Sequence, residues 1–470
     1  MSEPRARRSA RGKTQITRRQ FLQQGAAGAG MLLGSMAVGT QPAPLMAAPS
    51  RTPGARPNFL IIMCDQLGLD AVGANGGRWV RTPNMDRLAA RGVSFMESYS
   101  PNPVCSPARS SLLTGRMPVE TGVTTNIHPV HPDIPNMGQW LSNAGYDTVY
   151  CGKWHLPQGY AASIDGFTVL PTGGGQGDLV DTVVSRTCEA YLKSRPKDRP
   201  FLLVASLLQP HDICYWAIRN DLLVPDALPF PQLAAELPGL PENLRAAPTA
   251  PKKLTDHANM EHWSDQQWRY YNYIYNRQVE MVDADVGRIL DALEDAGAAA
   301  NTLVMLTADH GDGRGRHGKV SKWTPYDESA KVPLIASWPG RAVTGAHDHD
   351  HLVCGLDLMS TVCDCAGVDP PVDLRGRSLR PLLEGKPVQW REFVVVETQV
   401  VGRAVRTPRY KYVVYEDDPV QQLFDMRDDP WETRNLIAEP GYADVVRDHR
   451  KRLKEWQAGL KPVERMPNLV

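Results

Sequence analysis

Cys105-Ser106-Pro107-Ala108-Arg109, continued by Ser110-Ser111-Leu112-Leu113-Thr114-Gly115-Arg116, is the stretch on which the fold and chemistry of this chain turn. Ser106 suits a helix N-cap, Pro107 the first helical position and Gly115 the C-terminal stop. A short helix over 108–114 would aim backbone N–H groups and a positive dipole end at whatever Cys105 reacts with. Arg109, one turn in, adds a permanent charge. Such a start favours attack on a tetrahedral oxyanion. The plainer alternative is a buried cysteine at an ordinary loop–helix junction.

Outward from this stretch, four apolar runs end in chemically capable residues. Asn58 to Met63 leads to Cys64-Asp65-Gln66, and Asp147 to Tyr150 runs into Cys151-Gly152-Lys153-Trp154-His155. Phe201 to Leu208 leads to Gln209-Pro210-His211-Asp212, and Thr302 to Leu306 ends at Ala308-Asp309-His310-Gly311-Asp312. Continuous apolar runs of this length read as buried parallel strands. Helices are expected between them. One starts at Thr82-Pro83, one spans about 136–143, and one runs from about Trp268 to Ala296, with Tyr275, Val279, Val282, Val286, Ile289 and Leu293 as its apolar stripe. In an open α/β sheet, ligands bind at the carboxyl ends of the strands. One convergent site of Asp65, Gln66, Lys153, His155, His211, Asp309 and His310 beside the Cys105 helix is therefore predicted. Its two carboxylates, amide oxygen and imidazole suit calcium or magnesium, and the imidazole admits manganese.

Cys-x-Pro-x-Arg followed by Ser-x-Leu-x-Thr-Gly-Arg resembles the signature of the formylglycine-dependent sulfatases. The resemblance extends to Gly-Lys-x-His at Lys153 and His155, to Pro-His at His211, to Lys322, and to the Asp-Pro-x-Glu-x-x-Asn-Leu turn at 429–436. It implies an alkaline-phosphatase-like α/β fold, with a large domain around a mixed sheet and a smaller C-terminal domain. It also implies that Cys105 is oxidised by a formylglycine-generating enzyme, and that Asp65, Gln66, Asp309 and His310 hold a divalent metal, usually calcium. Many members carry Asp where this chain has Gln66, and Asn where it has His310. The Gln/His version is similar to some bacterial sulfatases and to phosphonate and phosphodiester hydrolases. By resemblance, a hydroxyl of the hydrated formylglycine attacks sulfur, His211 and Lys322 protect the leaving alkoxide, and His155 takes a proton from the remaining hydroxyl. Arg109, Lys153 and Lys322 supply the positive groups a sulfate ester requires, and Asn126 is a further sulfate contact. The rivals are a phosphonate monoester or phosphodiester hydrolase on the same fold, and a catalytically silent binding homologue. Lys153 and His155 favour sulfate. Export and a proline-rich insertion favour a sulfated carbohydrate.

At 470 residues the chain has room for a large α/β domain and a smaller one. We place these at 56–369 and 370–470, after a signal segment at 1–48. The 52 basic residues balance the 52 acidic ones, but residues 1–48 hold seven basic and one acidic. The remainder has 45 against 51, a net charge of −6, which argues against a nucleic-acid surface. Thr17-Arg18-Arg19-Gln20-Phe21-Leu22 resembles a twin-arginine export signal, with Ala47 and Ala48 offering a cleavage point. The glycine-rich run behind it is too short to span a bilayer well. The expected partners are therefore the twin-arginine translocase and a sulfated substrate, and the expected location is periplasmic or extracellular. The eight cysteines lack zinc spacing.

From about Pro370, short antiparallel strands are expected at 393–398, 403–406 and 410–415, closed by a helix over 445–457. His347-Asp348-His349-Asp350-His351 reads as a solvated linker turn. The aromatic group at Trp263, Trp268, Tyr270, Tyr271 and Tyr273 reads as core. Pro225 to Pro251 reads as a long surface excursion over the site.

Overall fold

The computed structural model describes residues 56–217, 227–228, 230–255, 260, 262–398 and 402–466. The twin-arginine segment and the start of the proline-rich excursion lie outside the described residues. Nine strands come first in the chain: β1 (Asn58–Asp65), β2 (Val93–Phe95), β3 (Ser98–Tyr99), β4 (Asp147–Gly152), β5 (Thr168–Leu170), β6 (Phe201–Pro210), β7 (Thr302–Ala308), β8 (Leu334–Ser337) and β9 (Ala346–Asp348). All but β3 join one sheet, in the order β5-β4-β6-β1-β7-β8-β2-β9. Pairing is parallel except along β8, which runs antiparallel to both β7 and β2. The four strands predicted to carry the site are thus contiguous neighbours, β4-β6-β1-β7.

Every residue of β1, β6 and β7 is buried. Their apolar side chains alternate between two cores, one on each face of the sheet. Each large side chain so buried contributes about 1.5–3 kcal/mol. The helices over Pro83–Ala90 and Met137–Asn143 form as read, and Asn136 and Gln139 close a capping box on the second. The long helix runs Asp265–Asp295, started by Ser264 and Gln267 in another capping box, and its whole predicted stripe is buried.

Three expectations need correction. A helix at Gly177–Ser194 was missing from the reading. Its core positions Val180, Val184, Cys188 and Leu192 do repeat every four residues, but the β-branched and thiol side chains are weak helix formers. Leu352 to Ala366, whose pattern reads as one helix stopped by Gly367, splits into a short strand, β10 (Val353–Cys354), which pairs with β3, and a helix at Asp357–Ala366. The His347–His351 segment is only partly a turn, because Ala346–Asp348 is the edge strand beside β2.

The C-terminal sheet is an antiparallel meander of β11 (Val394–Thr398), β12 (Gly402–Arg406), β13 (Tyr410–Tyr415) and β14 (Asp418–Asp425). The last of these was not anticipated. The helix at Ala443–Ala458 covers one face through Val446 and Leu453. On the other side, buried Lys411 bridges Asp327 and Glu432, each at 2.6 Å. Glu432 also accepts from Asp327 N at 2.7 Å. The Asp-Pro-x-Glu turn therefore fixes the chain five residues beyond Lys322.

Gly152, at the end of β4, has φ +105°, and a Cβ there would lie 2.0 Å from Ser206 O. Gly152→Ala is expected to cost at least about 1–3 kcal/mol in denaturant unfolding, because it adds left-handed strain to a backbone clash beside Lys153. An unchanged midpoint would show that β4 and β6 can part without loss.

Candidate active site

The Cys105 helix spans Cys105–Thr114 and is buried throughout. It starts two residues earlier than read. Val104 is the N-cap and Cys105 the first helical residue, while Gly115 ends the helix with φ +68° as expected. Asn126 Oδ1 accepts from Ser106 N at 3.0 Å, so one of the backbone donors expected to face a substrate is taken by Asn126.

The four strand ends and this helix do converge. Cys105 Sγ lies 3.0 Å from Lys322 Nζ, 3.2 Å from His310 Nε2 and 3.7 Å from Asp65 Oδ1. Lys153 Nζ sits 2.6 Å from Asp65 Oδ2. His211 also contacts the Cys105 side chain. His155 is tied in through its carbonyl, which accepts from Ser106 Oγ, and its Nδ1 is buried without a partner.

Arg109 does not project as a free charge. It is fully buried, with Nε on Asp309 Oδ2 at 2.8 Å and Nη2 on Asp65 Oδ2 at 3.0 Å. Its Nη1 reaches Lys153 O and Ser206 Oγ at 2.9 and 2.8 Å. The guanidinium fork thus clamps two carboxylates on neighbouring strands, a task its planar geometry suits.

Electrostatics follow from this packing. Burial works against ionisation of Asp65, yet Lys153, His211, Arg109 and Lys322 hold its carboxyl well below the usual range. Burial and the Asp65 charge push Asp309 the other way, to about 6. Burial and Asp65 oppose a Cys105 thiolate, but Lys322, Lys153 and His310 outweigh them and hold the thiol well below its ordinary value. Burial and Lys153 push His211 down to about 4, so its imidazole is neutral at pH 7. Burial opposes charge on Lys322, while Cys105, Cys214 and Asp65 keep it protonated.

Donor atoms of Asp65, Cys105, Asp309 and His310 all lie within 4.8 Å of one another. Asp65 Oδ1 has only the long contacts to sulfur and imidazole, and so is open to a cation. Gln66 Oε1 faces the same space, 3.1 Å from Lys322 Nζ. Fully buried carboxylates with an inward amide oxygen fit a hard divalent cation.

Gln66 is the most elaborately held residue of the set. Its backbone has φ +69°, and its N–H donates to Asp309 Oδ1 at 3.1 Å. Its Nε2 donates to Asp312 Oδ2 at 2.6 Å, which turns Oε1 inward. Tyr271 OH donates to Asp312, and Tyr275 OH donates to Gln66 O at 2.7 Å. Two tyrosines one turn apart on the long helix therefore fix the side chain and the backbone of one strand-end residue. The sequence pattern reads Tyr271 and Tyr275 as core, which they are, but does not show what their hydroxyls hold. The available signal was the four-residue spacing of two hydroxyl-bearing aromatics on an otherwise aliphatic stripe. His317, farther along the same loop, is paired with Glu328 at 2.8 Å.

Comparison with known proteins agrees with this geometry. The profile described as Sulfatase matches residues 57–368, and the profile described as N-sulphoglucosamine sulphohydrolase, C-terminal, matches residues 315–459. The chain is 34% identical to a Delta 4,5-hexuronate-2-O-sulfatase of Bacteroides thetaiotaomicron, over 85% of this chain and 89% of that protein. A solved 2-O GAG sulfatase superposes with a TM-score of 0.77 at 31% identity, covering 87% of this chain and 95% of that one. A structure in complex with its substrate D-glucosamine-2-N,6-O-disulfate superposes with a TM-score of 0.68 at 26% identity, covering 86% and 98%. The chain belongs to the sulfatase family, the hydrolases of sulfate esters, and has its alkaline-phosphatase-like fold.

If Asp312 orients Gln66 for a cation, Asp312→Ala should weaken calcium binding about 10–100-fold by calorimetric titration, and Tyr271→Phe should do so less. Unchanged affinity in a folded Asp312→Ala protein would show that Gln66 needs no such support.

Proposed function

We propose that the chain hydrolyses sulfate esters of a sulfated carbohydrate, with Cys105 as the precursor of a formylglycine nucleophile. The observation that carries this reading is the seat of Cys105 Sγ, at a helix start between Lys322, His310 and Asp65. The identities of the relatives point to sugar substrates. When present, formylglycine supplies the nucleophile and a divalent cation, calcium by family resemblance and magnesium or manganese by donor type, supplies charge at the sulfate oxygens.

The chain's own residues divide the remaining work. Asp65, Gln66, Asp309 and His310 hold the cation. Arg109 keeps the two carboxylates in register and neutralises part of their charge. Two carboxylates against Arg109, Lys153 and Lys322 leave the pocket positive even before a cation enters, which suits a dianionic group in a site that excludes water. Lys153 and Lys322 face that group directly. His211, neutral at pH 7, meets the leaving oxygen as a hydrogen-bond donor beside the fixed charge of Lys322. His155, with its free Nδ1, accepts a proton from the nucleophile's second hydroxyl. Asn126 steadies the helix that carries Cys105, and substrate contact is its second role. Residues 56–369 form the catalytic domain and 370–470 the subdomain that braces the Lys322 segment. Before this, we propose, a formylglycine-generating enzyme acts on the chain, and a twin-arginine signal at 1–48 delivers it through the translocase to the periplasm or beyond. No helix among the described residues is long and apolar enough to cross a membrane.

Two experiments test these roles. His211→Ala should slow sugar sulfates by about 10²–10⁴-fold and a nitrophenyl sulfate much less, since the poorer leaving group needs more help. Equal slowing would remove His211 from the leaving-group side. Released sulfate should be measured from sulfated uronic acid and glucosamine saccharides beside a phenyl phosphonate monoester. A preference for the phosphonate would favour the phosphonate hydrolase reading, and no turnover by fully converted, cation-loaded protein would favour a silent binding homologue.

A further inference from the structure

The helix at Gly177–Ser194 and the end of β6 are joined by a clamp that the chemistry above does not use. β6 pairs with β1 in regular register up to Ser206 and again only at Pro210, so Leu207, Leu208 and Gln209 stand opposite the single residue Cys64. On the other edge, pairing with β4 stops at Gly152 and Ser206. The N–H groups of Leu208 and Gln209 are thus left outside the ladder, and a buried N–H needs an acceptor. Asp181 supplies both: its Oδ1 accepts from Leu208 N and its Oδ2 from Gln209 N, each at 2.7 Å. This residue lies one turn into the helix and is 1% exposed. Bulges of this kind re-aim the side chains that follow them.

The clamp bears on His211 through one peptide unit. The Leu208–Gln209 peptide gives its N–H to Asp181, and its carbonyl accepts from His211 N at 3.0 Å. On the far side of His211, the Asp212 carboxylate accepts from Gly177 N at 3.1 Å and Asp178 N at 2.9 Å, free donors of the helix's first turn. Gln209 Nε2 also donates to Asp212 Oδ2 at 2.8 Å. Helix and loop therefore exchange carboxylates on either side of His211, whose ring contacts the Cys105 side chain. His211 Nδ1 has no hydrogen-bond partner among the described residues, so the ring depends on its backbone for its place.

We propose that Asp181 is a positioning residue for His211, with Asp212 as its counterpart, and that their joint hold on the loop places the imidazole at the leaving oxygen. The inference rests on the reading of His211 as the group that meets that oxygen. Burial, with Asp285 and Asp212 adding to it against the two N–H donors, pushes the Asp181 carboxyl up to about 8. Each of its oxygens keeps an acceptor lone pair in either protonation state. An amide keeps only one acceptor, because its nitrogen solely donates. Asp181→Asn therefore sets an N–H against an N–H at nearly constant volume, and loosens the bulge without opening a cavity.

The test uses the full, converted and cation-loaded chain. Asp181→Asn should slow hydrolysis of a sulfated uronic acid or glucosamine saccharide about 10–100-fold, and of nitrophenyl sulfate no more than about threefold, since only the poorer leaving group needs the imidazole in place. Added to His211→Ala, it should slow the sugar sulfate by no more than about twofold further, because the two changes remove one function. Histidine side-chain NMR reads the ring directly: the His211 signal, assigned by its loss in His211→Ala, should shift in Asp181→Asn. Equal slowing of both esters, additive losses in the double variant or an unmoved His211 signal would overturn the proposal. If Asp181→Asn does not fold, Asp212→Asn carries the same measurements from the other half of the clamp, with the same signature expected. If His211→Ala itself slows both esters equally, the leaving-group reading fails, while the NMR signal still decides whether Asp181 holds the ring.

Discussion

Arg109 joined to Asp65 and Asp309 is the interaction on which the rest of this structure depends. The two carboxylates end neighbouring strands, β1 and β7, and without a cation between them they would repel in a site that water cannot reach. Taking charges out of water costs several kcal/mol per ion, so the arrangement survives only because each guanidinium nitrogen has a partner. One consequence is geometric. The same fork reaches Lys153 O and Ser206 Oγ, so the ends of β4 and β6 are drawn into the same lattice. The helix carrying Cys105 and the four strand ends are thereby a single hydrogen-bonded object.

The second constraint acts on Gln66. An amide is a weaker and less predictable ligand than a carboxylate, since either of its ends can face inward. Asp312 and Tyr271 remove that freedom by occupying the nitrogen, and Tyr275 holds the strained backbone beneath. The C-terminal sheet does a similar service for Lys322, because Lys411 and Glu432 fix the segment that follows it. Both devices lie outside the group of residues that would touch substrate, yet both decide where those residues stand.

Much of this was legible in the sequence because strand-end chemistry is local. Apolar runs followed by Asp65-Gln66, Lys153, His211 and Asp309-His310 can be seen without knowing which strands pair, and the rule that α/β sheets bind at their carboxyl edges supplies the convergence. What stayed hidden was long-range. The length of the Cys105 helix was close, but its true N-cap is Val104, a residue with no capping side chain to announce it. That the Asn126 oxygen meets Ser106 N was hidden because nothing local shows it. Tyr271 and Tyr275 are core as read, but a periodicity argument counts aromatics as apolar and so ignores what their hydroxyls hold. The helix at Gly177–Ser194 was missed because β-branched residues mask its four-residue period.

The central claim is that Cys105 is not a cysteine in the working protein. The most direct test is the mass of the Cys105 peptide from protein made in its native host. The account predicts the mass of the aldehyde or its hydrate, and loss of activity in step with any fraction left as thiol. An unmodified thiol in active, cation-loaded protein would contradict it, and the ease with which Lys322, Lys153 and His310 let Cys105 ionise would then point to a thiolate nucleophile instead.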